Sequence, residues 1–66
     1  MTGDLAEMTL MTDLMKLEAG VFKDKAGRDE LVKSALRSAE ILEQEGTFSK
    51  GDAALAEIVQ KLKKLA

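Results

Sequence analysis

The chain has 66 residues, a net charge of −2, no cysteine and no histidine. Those totals exclude a disulfide framework and any thiolate or imidazole metal site. They also remove the commonest general base and the most reactive nucleophile.

The chain is 45% hydrophobic and 33% charged, apolar enough to fold rather than stay disordered. A domain of this size buries only about 60% of the surface its unfolded form exposes. Small scaffolds are usually stapled by disulfides, a metal or a partner. With the first two excluded, tight helix packing or association with another chain is expected. There is no proline, tryptophan or tyrosine and only two phenylalanines. Abundant Ala, Leu, Lys and Glu favour helix over strand. The expectation is an all-α fold: a small antiparallel helical bundle of three helices, about 4–19, 27–45 and 50–65, in one domain over 1–66.

The first helix is predicted from Asp4, with Glu7 at capping-box spacing. Leu10, Leu14, Leu17 and Val21 form one stripe at i, i+4, i+7 and i+11. Met8, Met11, Met15 and Phe22 form a second, rotated by about 100°. Together they cover more than half the circumference, wider than the apolar face of an ordinary surface helix. Gly20 is the natural stop in a left-handed position; the alternative is a helix that runs through it.

The second helix starts at Asp24, or at Gly27 with Glu30 three residues on. Leu31, Val32, Ala35, Leu36, Ala39 and Leu42 make its inner face, with Ile41 beside it. Ala35 and Ala39 admit a close neighbour, Asp29 and Lys33 are spaced to pair, and Gly46 ends the helix. The third helix starts with Ser49 as N-cap and Phe48 stapled onto Ala53, or with Asp52 as the cap. Leu55, Ile58, Val59, Leu62 and Leu65 repeat at three and four. Glu57 and Lys61 are spaced to pair, and Lys61, Lys63 and Lys64 suit the negative end of the helix dipole. Short connectors imply antiparallel neighbours.

Charge is uneven along the chain. Residues 1–22 carry Asp4, Glu7, Asp13 and Glu18 against Lys16, whereas residues 47–66 have four lysines against two acids. An acidic start and a basic end favour an antiparallel or head-to-tail arrangement, although exposed charges contribute little individually.

No motif in the chain points to a particular family, and none carries catalysis. Ser34 beside Lys33 and Ser38 beside Arg37 lack any sign of an oxyanion pocket. Glu40, Glu43 and Glu45 are carboxylates of the type that binds hard cations. They lack EF-hand spacing and a supporting second shell, so no metal and no cofactor is expected. An acidic chain with only Arg28 and Arg37 and no aromatic platform is not expected to bind nucleic acid. A helix-turn-helix reading of residues 40–62 fails because its second helix is not basic and no further helix follows. Four acids and one lysine on the first helix argue against a membrane surface. There is no basic segment followed by an apolar run at the start and no stretch near 18 apolar residues. A cytoplasmic protein without a small-molecule substrate is the expectation.

The methionines therefore carry the functional question. Methionine fills irregular core gaps, and a helix touching two neighbours needs two apolar stripes. Equally, it suits adaptable binding surfaces. The sequence points to a non-catalytic protein–protein interaction module of adaptor, chaperone-like or regulatory type. Its contact face would be Met8, Met11, Met15 and Phe22, with Leu5 and Leu14, rimmed by Asp4, Asp13 and Glu18. The partner is another protein or another copy of the chain, as a dimer or larger. The alternative is a homo-oligomeric structural protein burying the same face against itself.

Overall fold

The computed structural model describes residues 3–65. Residues 1, 2 and 66 of the expected single domain lie outside the described residues. Three helices follow one another: α1 (Gly3–Ala19), α2 (Lys25–Glu45) and α3 (Asp52–Leu65). There is no strand among the described residues, and the all-α three-helix expectation holds. No helix is long and apolar enough to cross a membrane.

The helix ends follow local chemistry. α1 stops in a Schellman arrangement. Gly20 has φ 70°, its N–H donates to the Leu17 carbonyl, and the Val21 N–H donates back to the Lys16 carbonyl at 2.9 Å. That left-handed residue is natural for glycine, and the helix does not run on. α2 begins two residues earlier than the expected 27. Asp24 is its extended N-cap, and its carboxylate accepts from the Gly27 N–H at 2.9 Å. Gly46 closes α2 in a left-handed conformation.

The start of α3 differs from the expectation. Neither Ser49 nor Asp52 is the cap. Asp52 is already the first helical residue, and Gly51, at φ 95°, accepts the Leu55 N–H at 3.2 Å. Phe48 does not staple onto Ala53, which is exposed; it turns inward and joins the core. Burying a phenylalanine ring yields far more than a contact with one exposed methyl.

α2 is the central helix. It packs against both others, while no Cα of α1 comes within 8 Å of one of α3 among the described residues. The core gathers Ala6 and Leu10 from α1, Val32, Ala35, Ala39 and Leu42 from α2, Phe48 from the connector, and Leu55 and Leu62 from α3. Ala6, Ala35 and Ala39 are fully buried, and small side chains are what let helix backbones close up. Leu36, Ile41, Ile58 and Val59 pack around this centre. Leu31, expected on the inner face, is only half-buried, and Leu65 is 40% exposed. The Asp29–Lys33 and Glu57–Lys61 pairs do not close into ion pairs. Exposed pairs of this kind gain too little to hold two long side chains in one geometry.

One correction bears on stability. Asp13, expected on an outer rim, is 7% exposed. Leu10, Leu14 and Leu17 of the expected stripe do face or pack against the core, but Val21 is exposed. The most deeply buried positions of α1 are Ala6, Leu10 and Asp13, so the inner stripe is rotated toward the alanine side. Asp13 is thereby carried inside with its Oδ2 lacking a hydrogen-bond partner. An unsatisfied buried polar group destabilises a fold by about 1–3 kcal/mol. Replacing it by an apolar side chain of similar volume should recover much of that. Asp13→Leu is expected to raise the thermal midpoint, read by circular dichroism, by roughly 4–8 °C for each kcal/mol regained. An unchanged or lower midpoint would show that the carboxylate finds a partner in solution.

Candidate protein-contact face

α1 has apolar residues nearly all round, a pattern that belongs to a helix covered on every side. Here only one side is covered. Leu5, Met8 and Met15 are 52%, 66% and 68% exposed. With exposed Thr12 they form a stripe at 5, 8, 12 and 15. At 100° per residue its centre lies roughly 150° around the helix from the inner stripe at 6, 10, 13 and 17. The face therefore points away from α2. A second neighbour over this face would explain a wide apolar helix, but no Cα of α3 comes within 8 Å of one of α1 among the described residues, and Leu5, Met8 and Met15 remain exposed.

The six expected contact residues separate into three groups. Leu5, Met8 and Met15 share the outward face. Met11 and Leu14 lie at its edge, half-buried and packed against the core. Phe22, 36% exposed, leaves the helical register because the chain turns at Gly20. Its Cβ lies 3.6 Å from where a Gly27 side chain would begin, over the start of α2. Val21 beside it is 60% exposed. Of the expected rim, Asp4 and Glu18 are exposed and Asp13 is inside.

The inner edge of α1 is fixed by a contact that no sequence spacing indicates. Glu7 accepts two hydrogen bonds from Ser49, one from the backbone N–H at 2.8 Å and one from the hydroxyl at 2.7 Å. The residues are 42 apart in the chain. The pair ties α1 to the α2–α3 connector beside buried Phe48. The Ser49 N–H chiefly, then its hydroxyl and the nearby Lys50 charge, hold the Glu7 carboxyl below its usual value of 4.5. In the sequence Glu7 stands at capping-box spacing within its own helix, a local pattern that carries no sign of Ser49.

Elsewhere the chemistry is sparse. Glu40, Glu43 and Glu45 are all exposed, and no group of three or more His, Cys, Asp or Glu side chains converges on a cation site among the described residues. Ser38 is buried and Ser34 half-buried on α2. No protein-family model, curated protein or solved structure matches the chain.

Two outcomes follow. Since the folded-state value of Glu7 lies below 4.5, its stabilisation is present in full above that pH and is lost as the pH falls through the lower value. Wild type is thus expected to melt above Glu7→Gln at neutral pH, with the gap closing well below pH 4.5. A gap independent of pH would mean that the carboxylate charge does not hold the connector. Separately, dilute peroxide should convert Met8 and Met15 to sulfoxide faster than half-buried Met11, since access controls that oxidation. Peptide mass spectrometry reads the order; equal rates would mean that α1 does not hold this orientation.

Proposed function

We propose that the protein is a non-catalytic protein–protein interaction module whose docking element is the outward face of α1. The observation that carries this reading is the exposure of Leu5, Met8 and Met15 on one stripe opposite the core. Single exposed apolar residues are ordinary, but a contiguous patch with a polar rim marks a contact surface. Met8 and Met15 are unbranched and polarizable and can repack against a partner's contours. Asp4 and Glu18 flank them and favour a partner with cationic groups around an apolar centre. Met11 and Leu14 support the face from beneath, and Met11 is not itself the anchor.

A photo-reactive residue at Met8 in the native host tests this. Discrete cross-linked adducts are expected that disappear when Met15→Glu is added, while the same residue at exposed Gln60 gives none of them. Met15→Glu itself should change stability by no more than about 0.5 kcal/mol, as for other surface substitutions. Adducts that survive Met15→Glu, or equal yields from Gln60, would sink the assignment.

A further inference from the structure

A cleft of about 370 Å³ lies between the first turns of α2 and the end of α3, lined by Lys25, Arg28, Asp29, Val32, Lys33 and Leu65. Its apolar part is buried Val32 and half-exposed Leu65. Around them stand three cations and one carboxylate. Lys25 and Lys33 form no ion pair. The Arg28 guanidinium makes one long hydrogen bond, Nη2 to the Leu65 carbonyl at 3.4 Å. The cleft is thus cationic around an apolar centre, with three cations against the single carboxylate of Asp29 and no ion pair closed to them among the described residues.

The outward face of α1 is its complement. Met15 is 68% exposed, and Glu18, three residues on, projects beside it. Glu18 is exposed and without an ion pair. It sits in the last turn of α1, where the helix dipole is itself negative. An apolar knob with an adjacent anion meets an apolar cleft with adjacent cations.

The two surfaces cannot meet within one molecule. The α1 face points away from α2, and α1 makes no close backbone approach to α3. Both are therefore open at once. Pairing α1 with α1 of a second copy would instead set Asp4 and Glu18, offset only by Lys16, against the same net-negative face, which opposes association.

We infer that the chain associates head to tail with copies of itself, Met15 of one copy seating in the α2–α3 cleft of the next and Glu18 meeting Arg28 and Lys25. This rests on the reading of the α1 face as a docking surface and names its occupant. Contact between two different patches is heterologous, so it propagates into rings or open chains rather than stopping at a symmetric dimer.

Sedimentation equilibrium across a wide concentration range, at low and high salt, tests the inference. The wild-type average mass should rise beyond that of a dimer at low salt and fall as salt screens the charges. Arg28→Glu and Glu18→Arg should each weaken association at least about tenfold, because each sets like charges together. Mixing the two variants should restore assembly, since each supplies the surface that the other lacks. Lys25→Glu is the second cleft variant, and circular dichroism on every sample separates lost assembly from lost folding.

A monomer at every concentration would overturn the inference while leaving the α1 face to its own cross-linking test. A mass that levels off at a dimer indifferent to both cleft variants would overturn it too, and would point to α1 pairing with α1. Failure of the folded single variants to complement each other would also count against it.

Discussion

The seam between α1 and α2 is the constraint on which this structure depends. Sixty-six residues have little apolar surface to bury, and with neither disulfide nor metal the helices must approach closely. Ala6, Ala35 and Ala39 permit that approach, and all three are fully buried. The seam also sets the rotation of α1. Once Ala6 and Leu10 face α2, Asp13 must follow them inward, and Met8 and Met15 must turn outward. The buried carboxylate and the exposed methionines are two consequences of one helix orientation.

α3 is held differently. It packs on α2, and Leu55 and Leu62 enter the common core, yet among the described residues none of its Cα atoms comes within 8 Å of one of α1. The link from α1 to this end of the molecule is Glu7 with Ser49, supported by Phe48 beneath. Both bonds are charge-assisted and converge on one carboxylate, which makes them stronger than neutral hydrogen bonds. This arrangement leaves the far side of α1 uncovered and, at the opposite end of α2, leaves a cleft whose cations close no ion pair among the described residues. Both surfaces proposed for association exist because the middle helix does most of the packing.

Helix number, order and type were legible because periodic apolar positions and glycine stops are local signals. Gly46 ends α2 where expected, Gly20 ends α1 in the first of the two ways open to that segment, and Leu55 and Leu62 repeat at helical spacing in the core. The contact face was legible only in part. Two apolar stripes on α1 were visible, but which residues of each faced inward depends on the helix against which α1 closes. Phe22 left the stripe because the chain turns at Gly20. Ser49 resembled an N-cap because serine before a helix commonly is one; the helix instead begins three residues on at Asp52, and the Ser49 N–H and hydroxyl donate to a carboxylate 42 residues away.

The sequence by itself determined that the chain is helical, that the second helix stops at Gly46, and that no cysteine or histidine chemistry is available. Propensity, periodicity and composition act within a few residues, so a linear reading captures them. Only the tertiary structure decided which side of α1 is covered, that Asp13 is buried without a partner for its Oδ2, and that Lys25, Arg28 and Lys33 ring a cleft. Those outcomes depend on the rotation of one helix against another. That rotation is set by the close packing of side chains far apart in the chain.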